Sequence, residues 1–288
     1  DSRSQGAAAG KTVRVDSVGA KPYKRVRCEN CGFRAPGAQA EAQVGMRRRP
    51  RRREQAMQVQ ERQVSAADFE ALRRTAIDCQ VRPFGVTDQR LLASFLETPR
   101  EKFVPAGQED LAYSDRELSH PLAGGPGART MIPPIVLARL LQAAEIKPSD
   151  SVLDVGGAAG YTAALAARLA DRVLALESDE ALARRAGENF AALGLANATA
   201  LCAPLAEGAA GKGPFDVVVV NGAADVGLEK LLDQLASGGR LVTLKPQAAG
   251  AARAFVYRKD GSAISCRSLF EGAGKLLPEF AAKPAFVF

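Results

Sequence analysis

The chain reads as an α/β protein: a doubly wound, mostly parallel sheet with an antiparallel C-terminal edge, preceded by a helical extension. Three observations predict this. From Ser151 onward, short apolar runs alternate with segments of helical period, the order of a parallel sheet with helical crossovers. Strand candidates such as Val217–Val220 are apolar at consecutive positions, as strands buried on both faces must be. Residues 252–288 then read as two or three strands with little helix, closing one edge.

Residues 1–64 hold no sustained period and are rich in Ala, Gly, Arg and Gln. Such a segment buries too little apolar surface to offset chain entropy, so it is expected to stay disordered. Ser65 to Asp68 form a capping-box pattern, and Phe69, Leu72, Ala76 and Ile77 then share one helical face. A turn at Pro83–Gly85 follows. Thr87 caps a second helix whose apolar side is Leu91, Leu92, Phe95 and Leu96, and Pro99–Pro105 ends it. A glycine-rich loop, Leu122–Arg129, leads to Pro133 and Pro134, which suit the first turn of a third helix. Strands are expected at Ser151–Val155, Arg172–Glu177, Ala198–Cys202, Phe215–Val220 and Gly238–Leu244. Helices are expected at Tyr161–Leu169, Glu180–Leu193 and Leu228–Leu235. The chain thus divides into a basic tail (1–64), a helical cap facing the substrate (65–130) and a sheet domain (131–288).

Charge is unevenly placed. The net charge is +7, yet residues 1–65 hold 15 Lys/Arg against 6 Asp/Glu, leaving 24 against 26 for the rest. The folded part is therefore not expected to bind nucleic acid. The run Arg47–Arg53 reads as a solvated tail, as an arm for an anionic surface, or as part of a segment translated from a start placed too early, Met46 and Met57 being plausible native starts. Cys28 and Cys31 have C-x-x-C spacing, but no second pair supplies the four ligands of a structural zinc, so no metal is expected. Five scattered cysteines do not form a disulfide framework, and a reducing cytoplasm is the simplest setting. No apolar run long enough for a membrane span and no apolar signal segment is evident. The lone histidine, His120, is expected on a surface loop.

The segment Val152–Ala163 is a strand, a glycine loop and a helix start. A dinucleotide loop requires glycine where the chain has Ala158 and Tyr161. The acid-x-G-x-G-x-G loop of S-adenosylmethionine (SAM) methyltransferases is similar at Asp154, Gly156 and Gly160, with Ala158 in place of the middle glycine. An acid at the strand end suits a ligand carrying an ammonium and a sulfonium, and would repel a pyrophosphate. Ala158 is tolerable there if its φ is negative. Glu177 ends the next strand, where an acid can accept hydrogen bonds from two ribose hydroxyls. An ordinary tight turn and a surface acid are the plain alternatives.

Several blocks carry a wider resemblance: "CQVRPFGVTDQRLLASFLETPREKFVP", "LAYSD", "VLDVGGAAGYTAALAARLADRVLALESD", "PFDVVVVNGAA" and "LASGGRLV". Over Asp68 to Phe288 the chain resembles the protein-L-isoaspartate O-methyltransferases. That resemblance implies a monomeric repair enzyme using SAM as co-substrate and acting on isoaspartyl residues of damaged proteins. The nucleophile is an ionised carboxylate, so no general base is implied. By position, Asp154, Gly156, Gly157, Gly160, Glu177, Pro204, Leu205, Asn221, Met131 and Ile132 would contact the co-substrate. The family's T-I-S-x-P is here Thr130 to Pro134, with Ile132 in the place of the substrate-contacting serine. Losing a donor to a charged partner costs on the order of 1.5–3 kcal/mol. Thr130 keeps a hydroxyl nearby and is the candidate substitute. The family's G-D-G is Ala203-Pro204-Leu205, without its acid. These departures leave two alternatives, a non-catalytic relative and a methyltransferase for another nucleophile. Asn221-Gly222-Ala223-Ala224 lacks the N-P-P-Y of adenine-type amino methyltransferases.

Overall fold

The switch in strand order that places the site is set by seven strands. The computed structural model describes residues 65–123, 127–247 and 251–282. The tail, with Cys28, Cys31 and Arg47–Arg53, lies outside the described residues. Strands β3 (Ser151–Val155), β4 (Arg172–Glu177), β5 (Ala198–Cys202), β6 (Phe215–Ala223), β7 (Leu235–Pro246), β8 (Ala252–Asp260) and β9 (Ala263–Gly272) form one sheet. Its order is β5-β4-β3-β6-β7-β8-β9. All neighbours from β5 to β7 are parallel, and β8 is antiparallel to both β7 and β9. The chain winds outward from β3 to β5 and returns to β6 beside β3, so the order reverses between those two strands.

Alternation of the pleat divides the core in two. Val152, Val217 and Val219 join one apolar cluster, and Leu153, Val155, Val218 and Val220 the other. The first face is covered by α3 (Pro134–Ala144), α4 (Tyr161–Ala167) and α5 (Glu180–Ala192), with α1 (Ala66–Ala76) and α2 (Gln89–Glu97) against the same cluster. The other face is covered by α6 (Glu229–Asp233) and two single turns, Leu205–Glu207 and Pro278–Phe280. Right-handed crossovers in opposite senses put the two sets of connections on opposite faces.

The capping box forms as expected: Ser65 Oγ accepts from the Asp68 N–H at 3.2 Å and the Asp68 carboxylate from the Ser65 N–H at 3.0 Å. Several boundaries differ. Leu72 is 42 % exposed, because α1 packs through Phe69, Ala76 and Ile77. Asp88, not Thr87, caps α2, taking the Arg90 and Leu91 N–H groups. The Gln142 side chain accepts from the Thr87 and Asp88 N–H groups and moves the helix start one residue on. The helix expected at Leu228–Leu235 ends at Asp233, and Leu235 instead pairs with Phe215 as the start of β7. The region read as loop before the third helix holds a hairpin, β1 (Leu118–Pro121) with β2 (Ala128–Met131). His120 lies in it and is buried, not at the surface.

Candidate active site

Ligands of wound α/β sheets sit at the carboxyl ends of strands where the order reverses. Here that is the crevice beyond β3 and β6. Residues Gly156 to Gly160 link β3 to α4 in a tight loop. A Cβ at position 157 would lie 2.3 Å from Asp154 Oδ2, and one at position 160 would meet the Phe190 ring at 2.7 Å. Glycine at 157 therefore opens space beside the acid, and glycine at 160 lets α5 approach. Ala158 has φ +55°, so the condition under which alanine is comfortable there is not met. Its N–H is spent on Glu177 Oε2 at 3.1 Å, which fixes that conformation.

Asp154 is fully buried. The Asn221 side-chain amide donates to its Oδ1 and to the Val155 carbonyl, and the Thr162 hydroxyl donates to Asn221 Oδ1 at 2.6 Å. Asp154 Oδ2 has no hydrogen-bond partner among the described residues. Burial pushes this carboxyl up to about 7; the Asn221 and Ala163 hydrogen bonds pull it down, and the Glu177 charge adds to the rise.

Glu177 sits where expected, at the end of β4, yet its acceptor sites are taken. Arg129 Nε donates to Oε1 at 3.0 Å and Oε2 at 3.2 Å, and the Ser178 N–H reaches Oε1 at 2.8 Å. With the Ala158 N–H, every lone-pair direction of the carboxylate is occupied. The Arg129 guanidinium, itself fully buried, also donates to Ser178 Oγ at 2.9 Å and to Glu279 Oε1 at 2.8 Å. Burial disfavours its charge, but Glu279 and Glu177 outweigh that and raise its pKa. In this structure a cation from β2, Arg129, holds the acid that ends β4.

Two covers close the crevice. One is the β1–β2 hairpin, where Thr130 Oγ1 and Ser119 Oγ share a hydrogen bond at 3.1 Å. The other is the segment after β9. The Ala223 N–H donates to the Lys275 carbonyl at 2.8 Å, and the Leu277 N–H to the Ala223 carbonyl at 2.9 Å. Leu277 and Leu205 side chains lie over Gly156. What remains is a cavity of about 10 Å³ bordered by Arg100, Thr130, Gly157, Tyr161, Thr162 and Asn221. Met131 and Ile132 also line it, and Pro204 is exposed at the rim of the sheet. A hollow of about 590 Å³ lies elsewhere, at the amino ends of β3 and β4, and holds none of the expected site residues.

Sequence reasoning missed Arg129, Arg100, Thr162 and Glu279. Nothing in periodicity marks an arginine that will be buried, and Glu279 reaches Arg129 across 150 residues. His120 is held neutral. Burial pulls its pKa down to about 4, the Arg185 and Arg100 charges act in the same direction, and the Phe103 backbone opposes them.

Residues 73–270 match the sequence model of the protein-L-isoaspartate(D-aspartate) O-methyltransferases. A protein-L-isoaspartate O-methyltransferase of Koribacter versatilis is 39 % identical over 170 residues, covering 59 % of this chain and 74 % of that protein. One from Roseiflexus castenholzii is 38 % identical over 175 residues, covering 61 % and 78 %. Among solved structures, a protein-L-isoaspartate O-methyltransferase superposes with a TM-score of 0.62 at 24 % identity, over 73 % of this chain and 65 % of that one, just under two thirds of its length. A Plasmodium falciparum chain assigned to the same activity, in complex with S-adenosyl-L-homocysteine, superposes with a TM-score of 0.59 at 19 % identity, over 73 % and 98 %.

Proposed function

Because the chain belongs to the protein-L-isoaspartate(D-aspartate) O-methyltransferase family, we propose that the crevice between β3 and β6 carries that family's reaction. The enzyme is a SAM-dependent methyltransferase that esterifies the free α-carboxylate of an isoaspartyl residue. The co-substrate, when bound, supplies an electrophilic methyl group on a sulfonium.

The residues present fit such a co-substrate. The observation that carries the reading is the buried, unpartnered Asp154 Oδ2, beside space that exists only because residue 157 is glycine. That oxygen suits the ammonium of the donor's aminoacyl end, with Thr162 and Asn221 orienting it. Glu177 suits the ribose hydroxyls once Arg129 withdraws. Gly156, Gly157 and Gly160 let the backbone come close, and Met131, Ile132 and Leu205 supply apolar walls that exclude water. Asn221 reaches the donor through Asp154, and Pro204 borders the adenine end.

The substrate carboxylate is ionised at neutral pH, so no side chain has to remove a proton. Catalysis then rests on holding that oxygen in line with the methyl group. Thr130 offers a hydroxyl in the same cavity as Ile132, which stands where the family has serine. The methyl ester formed is attacked by the neighbouring peptide nitrogen with loss of methanol, and water then opens the succinimide partly to normal aspartate. The α1–β2 region serves as the cap that admits the damaged peptide. The enzyme works as a cytoplasmic monomer on damaged proteins. No helix among the described residues is long and apolar enough to cross a membrane.

The test uses the full chain, labelled SAM, an isoaspartyl peptide and its aspartyl twin. Label in the first peptide alone is the expected result. A non-catalytic reading draws on the occupied Glu177. Calorimetry with S-adenosyl-L-homocysteine that gives no heat at high micromolar concentration, together with no labelling, would establish that reading instead.

A further inference from the structure

We propose that Arg100 is a carboxylate anchor in this crevice, a buried guanidinium that receives an anionic group of one of the two reactants. The inference rests on the function proposed above and names a residue that reading does not use.

Arg100 lies on the single turn Arg100–Lys102 after α2 and is 1 % exposed. Three arginines are buried among the described residues: Arg100, Arg129 and Arg240. Arg129 is paired with Glu177 and Glu279, and Arg240 with Asp150. No carboxylate among the described residues forms an ion pair with Arg100. Its Nη2 donates to the Ile132 carbonyl at 3.0 Å, and its guanidinium carbon lies 4.7 Å from the centre of the Tyr161 ring. Its Nε has no hydrogen-bond partner among the described residues. A buried charge is normally neutralised by an ion pair, and its partners here, the Ile132 carbonyl and the ring and hydroxyl of Tyr161, are neutral and do not supply that. Burial accordingly pulls the Arg100 pKa below the usual range, with Tyr161, Tyr113 and, last, Asp115 opposing.

The place of this cation is informative. It borders the small cavity together with Gly157, Thr162 and Asn221, the residues that surround Asp154. The chemistry that suits it is a carboxylate, bound by the fork of the guanidinium. The reaction offers two: the aminoacyl carboxylate of the methyl donor, and the α-carboxylate of the isoaspartyl residue. Either needs more room than the present 10 Å³, so the crevice must widen for the anion to enter.

The experiment compares wild type with Arg100→Gln and Arg100→Lys in the full chain, each checked by thermal melting. Calorimetry uses S-adenosyl-L-homocysteine, which has the carboxylate, and 5′-methylthioadenosine, which lacks it. Steady-state kinetics use the isoaspartyl peptide. For a donor carboxylate, homocysteine-derivative binding weakens on the order of 10- to 100-fold while methylthioadenosine binding is unchanged. For a substrate carboxylate, both nucleosides bind as before and the peptide KM rises by a similar factor. Arg100→Lys, which keeps charge and most of the volume, falls between in either case. The anchor is overturned if folded variants bind and turn over like wild type, or if both nucleosides and the peptide weaken equally. Failure of the wild type to bind the homocysteine derivative would instead remove the function proposed above, and the anchor with it.

Discussion

Replacing Arg129 by Met tests the arrangement most directly. The substitution removes five donors from a group with no solvent exposure and leaves Glu177, 2 % exposed, with only the Ser178 and Ala158 N–H groups. Breaking one side of a buried ion pair costs about 3–5 kcal/mol, since the remaining charge stays buried. The Glu279 arm is 26 % exposed and contributes about 0–1 kcal/mol. The expected loss is therefore about 3–5 kcal/mol, a large share of the ~5–15 kcal/mol that holds a domain together. Adding Glu177→Gln removes the stranded charge, so the double variant recovers on the order of 2 kcal/mol over Arg129→Met. Urea unfolding of the four proteins completes the cycle. Ligand binding moves the other way, because Arg129→Met frees Glu177 oxygens for ribose hydroxyls. S-adenosyl-L-homocysteine binds Arg129→Met more tightly than wild type and raises its midpoint further. A variant that loses under ~1 kcal/mol and binds no more tightly would refute the competition for Glu177.

Two further outcomes follow from the loop and the acid beside it. Asp154 has a folded-state pKa near 7 against an ordinary value near 3.8, so between those values the native state holds the extra proton. Stability from this group is complete below pH ~4 and is lost as pH rises toward ~7. Asp154→Asn flattens that slope in urea titrations across pH 4–8, and an unchanged slope would reassign it to other groups. Ala158→Gly relieves a non-glycine residue at φ +55°. Relief of about 1–2 kcal/mol less the chain-entropy cost of glycine predicts a net gain of up to about 1 kcal/mol, seen as a higher melting temperature. A lower melting temperature would show that the Ala158 methyl packs well enough to outweigh its backbone strain.

The central strands were legible because runs such as Val217 to Val220 are apolar at consecutive positions and buried on both faces, as in a covered parallel sheet. The first helix cap was legible because both halves of its hydrogen-bond exchange lie within four residues. The β1–β2 hairpin was not. Its strands are four residues each, set in a Gly-rich stretch, and burial comes from the crevice beneath them. Thr87 and Asp88 are equally good cap residues, and the choice fell to Gln142 from another helix. The site was half legible. Asp154, the glycines and Glu177 announce themselves by their place after strands. The arginines that meet them do not, since a cation's burial is decided by contacts far away in sequence.

The clasp on Arg129 joins segments at very different separations, 48 residues to Glu177 and 150 to Glu279. Closing the longer loop costs only about 1 kcal/mol more in chain entropy, but it requires β3 through β9 to be already in place. Of the two acids on Arg129, Glu279 is the more solvated, 26 % exposed against 2 % for Glu177. Residues 273–282 are also anchored by Leu277 and Phe280, both buried in the core beneath the sheet. The same segment that lays Leu277 over Gly156 therefore also holds, through Glu279, the cation that occupies Glu177.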